Sequence, residues 1–153
     1  MKALELKVPP LLLMVAVAGL MALLAPVTPT LPLEPALRLI GTTLATALGV
    51  TILVAGALAF RRADTTVNPT TPEASRQLVV QGIYRRSRNP MYLGMLALLL
   101  GWGLFLASPA ALALLPAFVL YLNRFQIQPE ERALRARFGA DFDRYCQQVG
   151  RWF

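Results

Sequence analysis

The chain has 153 residues, 56% of them hydrophobic and 15% charged, with a formal charge of +7, no histidine and one cysteine, Cys146. This composition excludes a disordered chain, fits a soluble globular domain poorly, and at this length allows one domain. Histidine general bases, His-ligated metals, zinc-finger spacings and internal disulfides are excluded as well, so no metal site is expected.

In chain order, the first apolar block runs from Val8 to Ala25, beginning at Pro9-Pro10 and ending at Pro26. Lys2 and Lys7 give it the basic start of a cleaved leader, but Leu23-Leu24-Ala25-Pro26 has no small-x-small cleavage site, so a retained span is expected. The second block covers Ala36 to Phe60, and Gly41, Ala45 and Gly49 recur on one face at the spacing that lets helices approach closely. A third block follows Asn89-Pro90, from Met91 to Ala107, and a fourth follows Ser108-Pro109. The short Ser-Pro connection predicts an antiparallel hairpin, and Pro116 predicts a kink in its second arm. Purely apolar sequence ends at Leu122, before Asn123 and Arg124.

The expected architecture is therefore an all-α polytopic membrane protein with four transmembrane helices, at about residues 8–25, 36–60, 91–107 and 109–125. Of the 15 basic residues all but Arg38 fall in segments on one side, which places both termini in the cytoplasm by the positive-inside rule, most simply of a bacterial inner membrane. The basic residues follow membrane topology, so no nucleic-acid partner is expected. The short segment from Pro26 to Pro35, with Glu34, reads as an external loop.

The cytoplasmic loop 61–90 is turn-rich from Asp64 to Pro72, then carries Tyr84, Arg85, Arg86, Arg88, Asn89 and Tyr92 up to the membrane boundary. Such residues serve as interfacial anchors or as a site. A second polar group, Asn123, Arg124, Gln126, Gln128, Glu130 and Glu131, leaves the fourth span at the same surface, and the hairpin brings the two together. In the cytoplasmic segment 126–153 the residues after Pro129 predict an amphipathic terminal helix, with Leu134, Phe138, Phe142, Tyr145 and Val149 on its apolar stripe. That helix, ending in Trp152-Phe153, is expected along the headgroups or folded back as a lid. Glu130 and Glu131 also suit the first turn of a helix beginning at Pro129.

Gly82-Ile-Tyr84, then Arg88-Asn89-Pro90-Met-Tyr92-Leu-Gly94, a hairpin, and Glu130-Glu131-Arg-Ala-Leu134 with Phe138-Gly139 and Tyr145 form an ordered pattern over about residues 76–149. This pattern resembles the isoprenylcysteine carboxyl methyltransferase family and the related phospholipid methyltransferases. The resemblance implies a membrane methyltransferase that binds S-adenosylmethionine in a cytoplasmic pocket without a Rossmann domain and releases S-adenosylhomocysteine. The sequence agrees in having no G-x-G-x-x-G. Carried over by position, the resemblance lines the cofactor pocket with Leu78, Val79, Tyr84, Asn89, Pro90 and Tyr92, together with Glu130. It makes Arg124, Glu131 and Asn89 the candidate catalytic residues, with Arg124 orienting the acceptor.

Enzymes acting on prenylcysteine usually carry His where this chain has Asn89, which keeps a donor and an acceptor but does not titrate. Arg76 stands where a second His is expected, and the substrate arginine of the family aligns with Arg124 or with Gln126. A histidine-free site suits methyl transfer from a sulfonium, where positioning does most of the work. A carboxylate acceptor needs no base, whereas an amine acceptor would lose its proton to Glu131 or Tyr92. The expected partner is a lipophilic small molecule or lipid that enters between helices from the surrounding membrane lipids. Two other classes compete: an NADPH-binding membrane reductase of the sterol type, and a non-catalytic exporter or structural protein. The exporter lacks the acid within a span that proton coupling requires.

Overall fold

The computed structural model describes residues 5–63 and 78–153, and those residues are helical apart from short connections. Helix α1 spans Pro10–Leu24 and continues as a 3₁₀ turn, Ala25–Val27. Helix α2 spans Pro35–Arg62; Pro35 occupies its first position and the Glu34 carboxylate accepts the Leu37 N–H at 3.0 Å, so the orphan donors of the first turn are partly met. A 3₁₀ turn at Gly82–Arg85 precedes α3, Pro90–Leu106. The remainder is α4, Pro109–Leu112; α5, Leu114–Leu122; a π-helical turn, Asn123–Ile127; α6, Gln128–Phe138; and α7, Ala140–Gln148.

Three helical stretches are long and apolar enough to cross a membrane: Pro10–Val27, Pro35–Arg62 and Pro109–Phe138. Helix α3 is apolar too but has 17 residues, the short end of what a crossing needs. Their outer faces carry large exposed side chains such as Leu11, Leu37, Leu44, Leu58 and Leu120, the surface expected of helices solvated by lipid. The turn-rich stretch 64–72 and Arg76 lie outside the described residues.

The tightest packing is between α2 and α3, where glycine replaces side chains at the crossing. A Cβ on Gly49 would stand 2.8 Å from the Gly94 carbonyl oxygen, and one on Gly94 would stand 2.8 Å from Leu53 Cγ. The small-residue face of α2 thus meets a matching glycine on α3, as close helix approach requires. A core of Met21, Tyr92, Met95, Leu99, Ala111, Phe118, Leu122 and Ile127 joins α1, α3 and the last long helix. The hairpin turn uses Ala107 in the left-handed region (φ 48°), and Ser108 accepts the Ala111 N–H at 3.2 Å as the cap of α4.

The helix of the fourth apolar block continues past residue 125 through the π turn to Phe138. The break associated with Pro116 falls at Ala113, because proline cannot donate to the carbonyl one turn before it and the chain tightens there (ψ −14°). A single terminal helix after Pro129 is replaced by α6 and α7, separated at Gly139, whose φ of +50° and ψ of −123° suit only glycine. The apolar residues still gather across that break: Phe142, Tyr145 and Val149 are buried together, with Leu78, Leu134 and Phe138 against them.

Candidate functional site

The start of α3, the π turn, α6 and the C-terminal residues converge at one end of the bundle. Pro129 explains the π turn that shapes it. Lacking an N–H, proline cannot bond Phe125 O, and its ring would press on that carbonyl in a regular helix. The helix widens instead, Gln128 N–H reaching back five residues to Asn123 O, and the freed Phe125 oxygen accepts from Leu6 N–H at 3.0 Å. The N-terminal segment is stitched to the same turn by Gln126 Nε2, which donates to Val8 O at 2.5 Å, and by Glu5, which is ion-paired with Arg124 and Arg132.

The adjacent acids Glu130 and Glu131 have different surroundings. Tyr92 Oη donates to Glu130 Oε1 at 2.5 Å, and Glu130 has no cationic partner among the described residues. Glu131 is held by two guanidinium groups: Arg88 Nη2 at 2.8 Å, and Arg151, which engages both carboxylate oxygens at 3.1 and 2.6 Å. Arg88 also donates through Nη1 to the carbonyls of Cys146 and Val149, and its backbone N–H bonds Gly150 O. Asn89 Nδ2 donates to Arg151 O at 2.9 Å, and Trp152 Nε1 to Asn123 Oδ1 at 3.1 Å. The residues after α7 are in this way folded back over the ends of α3 and the last long helix.

Tyr84 is buried with the Phe60 ring edge-on at 5.3 Å. Its backbone carbonyl accepts the Tyr145 hydroxyl at 2.7 Å. Burial raises the Tyr84 phenol above its ordinary range, and the nearby Tyr145 and Glu130 add to the effect. Burial likewise raises Tyr145 and the thiol of Cys146. Gln126 is fully buried, and its Oε1 has no hydrogen-bond partner. An unpaired buried carbonyl one turn before Glu130 is an acceptor in want of a donor.

Of the residues singled out in the sequence, Tyr92 and Glu130 are joined directly. Pro90 is buried at the start of α3, and Val79 is buried while Leu78 packs on the α7 cluster. Asn89 and Glu131 hold the C-terminal segment. Arg124 is turned toward Glu5 rather than bonded to either acid of the pair. Arg88 and Arg151 complete the cluster; Arg88 stands in the ordered pattern without an assigned role and Arg151 lies outside it, and no local pattern shows the Arg88 partner, 43 positions away.

The sequence pattern of the phospholipid methyltransferase family matches residues 37–141, more than half of the chain, and the chain belongs to that family. It is 44% identical over 62 residues to an uncharacterized protein of Haemophilus influenzae, covering 40% of this chain and 98% of that one. It is 36% identical over 80 residues to a probable protein-S-isoprenylcysteine O-methyltransferase of Oryza sativa, covering 50% of this chain and 40% of the rice protein. Against the protein-S-isoprenylcysteine O-methyltransferase of Saccharomyces cerevisiae it is 34% identical over 84 residues, covering 53% of this chain and 34% of the yeast protein. The chain thus spans well under half the length of the rice and yeast relatives. No solved structure matches it.

Proposed function

We propose that the protein is an integral-membrane methyltransferase that uses S-adenosylmethionine to methylate a lipophilic acceptor, in the manner of the isoprenylcysteine carboxyl methyltransferases. The observation that carries this reading is the partly buried Tyr92–Glu130 hydrogen bond, set where apolar helices meet a polar roof made by the C-terminal segment. Family membership and the names of the rice and yeast relatives support the same chemistry.

The donor set fits such a cofactor. Glu130 offers a carboxylate with no cationic partner, and Gln126 offers a buried carbonyl oxygen with no donor, both suited to an ammonium group or to hydroxyls. When bound, S-adenosylmethionine supplies a methyl group already activated by its sulfonium for in-line displacement. The task left to the chain is to orient and to exclude water. Tyr92 fixes the Glu130 carboxylate by its hydrogen bond. Leu78, Val79, Tyr84 and Pro90 contribute the surrounding wall, and Glu131 and Asn89 hold the roof in register. Arg124, anchored in this structure on Glu5, is assigned to the acceptor: a guanidinium matches a carboxylate through paired hydrogen bonds, and such an acceptor needs no base. With Glu131 saturated by two arginines, proton removal from an amine acceptor has poor support, although the family description keeps phospholipids as the second class to assay.

The same reading has α3 cross the membrane as the third of four spans, with both termini in the cytoplasm. Calorimetric titration of S-adenosylmethionine and S-adenosylhomocysteine into detergent-purified protein tests the cofactor assignment. Saturable binding is expected, at least tenfold weaker in Glu130→Ala and Tyr92→Ala, in line with about 1.5–3 kcal/mol for a hydrogen bond to a charged group. Absence of binding to intact folded protein removes the methyltransferase reading, and binding of NADPH instead would replace it.

A further inference from the structure

At the end of the bundle away from the Tyr92–Glu130 pair, a groove of about 370 Å³ runs along the seam of α2 and α3, lined by Thr42, Thr46, Leu98, Gly101, Trp102 and Phe105. Arg38, Thr42 and Thr46 follow one another at four-residue spacing along α2, so the groove descends one face of that helix from a cation at its mouth. Gly101 lets α2 and α3 close beneath the groove: a Cβ there would stand 2.7 Å from Thr46 Oγ1 and 3.2 Å from the Thr42 carbonyl oxygen.

Two polar features mark the groove, one in its lining and one at its mouth. The first is Thr42 Oγ1, which is buried and has no hydrogen-bond partner. A hydroxyl in hydrocarbon without a partner is costly, and helical threonines ordinarily bond a carbonyl one turn back, as Thr51 does to Ala47 O at 2.8 Å. The second is Arg38, the only Lys or Arg between Pro26 and Ile40 or between Leu104 and Ala113. Arg38 is anchored over the groove mouth by a hydrogen bond from Nη2 to Phe105 O and by the face of the Phe105 ring, 5.6 Å from its guanidinium carbon. One donor of five is used there, and Arg38 has no ion-pair partner among the described residues. Glu34, one turn earlier, accepts the Leu37 N–H instead.

We propose that this groove binds one anionic phospholipid, its phosphate on Arg38, an ester carbonyl on the Thr42 hydroxyl and an acyl chain lying along Leu98 and Trp102. The order of groups along α2 is the order of groups along a lipid: cation for phosphate, then one turn (about 6 Å) deeper a donor for the ester, then an apolar trough. Charge selects an anionic headgroup over a zwitterionic one, since an arginine at the membrane surface favours anionic lipid. The site stands at the opposite end of α3 from Tyr92 and does not depend on the methyltransferase reading.

Native mass spectrometry of the full chain, released from micelles holding equal phosphatidylglycerol and phosphatidylcholine, tests it. Wild-type protein is expected to retain one phosphatidylglycerol in preference to phosphatidylcholine. Arg38→Gln is expected to lose about fivefold of that preference, the effect of one surface arginine. Thr42→Val, which keeps the shape and removes the hydroxyl, is expected to lower retention of both lipids alike. Arg62→Gln, at the other end of α2, is expected to leave the preference intact, and thermal unfolding establishes that each variant is folded. Equal retention of the two lipids by wild type, a preference that survives in Arg38→Gln, or an equal loss in Arg62→Gln overturns the proposal. Unchanged retention in Thr42→Val overturns it as well, by removing the chain from the groove.

Discussion

Glu130 and Glu131 are consecutive, yet the first is an acceptor under a tyrosine and the second is the hub of an ion-pair cluster. The division of labour follows from helical geometry, which points successive side chains about a quarter-turn apart. Removing the hub leaves Arg88 and Arg151 unpaired in a partly buried place, so Glu131→Ala is expected to destabilise the protein by about 2–3 kcal/mol, measured as a lower unfolding temperature in detergent. Arg88→Ala should act alike, because it also releases the carbonyls of Cys146 and Val149. The tyrosines make a separate prediction. Burial raises the phenols of Tyr84 and Tyr145, so the folded state favours their protonated forms. The stability they contribute is complete below the ordinary tyrosine value of about 10 and is lost as pH rises through the raised values. Thermal unfolding scanned from pH 8 upward should show a fall beginning above about pH 10 that flattens in Tyr84→Phe.

At the scale of elements, two devices position the site: the close crossing of α2 on α3 and the π turn before α6. The crossing depends on backbone at Gly49 and Gly94, where a methyl group meets backbone oxygen or the branch of a leucine. Gly49→Ala and Gly94→Ala are each expected to cost about 1–3 kcal/mol through overpacking. Gly41→Ala, whose Cβ would meet only Leu104 Cδ1 at 3.4 Å, should be close to neutral. Comparing the three unfolding temperatures separates packing at the crossing from a general loss of helix flexibility. The π turn has a different logic: a proline that cannot close its bond releases a carbonyl to the N-terminal segment, and Gln126 is carried into the interior.

For the whole molecule, the hydrogen bonds from Leu6 and Gln126 and the Arg88–Glu131 pair bring the N-terminal segment, the start of α3 and α6 to one end. The connection Thr28–Glu34 and the hairpin at Ala107 lie together at the other, where Leu31 N–H bonds Ala107 O at 2.7 Å. If α3 crosses as proposed, these ends face opposite sides of the bilayer. In a Cys146→Ser background, Thr30→Cys should then react with an impermeant maleimide from the side opposite to Gln147→Cys. Labelling of both from the same side would reduce the crossings and refute the four-span arrangement.

Apolar runs beginning near Pro10, Pro35, Pro90 and Pro109 were legible in the linear chain because apolar length and proline at a first turn are local properties, and three of the helical stretches they form are long and apolar enough to cross a membrane. The Tyr92 and Glu130 positions were legible through a family pattern, and the small face of α2 through its four-residue period. Local reading did not extend to the partner of any charge: Arg88 with Glu131, Arg124 with Glu5 and Asn89 with Arg151 O are separated by 43, 119 and 62 positions. Nor did it show that Pro129 would widen a continuing helix rather than begin a new one. That outcome required Leu6 to be present as a substitute donor, and only the folded chain brings Leu6 to Phe125. Sequence by itself determined which segments are apolar enough for lipid, since that property depends on local composition and length. Tertiary structure decided which of the polar residues at their ends face one another, because pairing depends on distances that chain order does not contain.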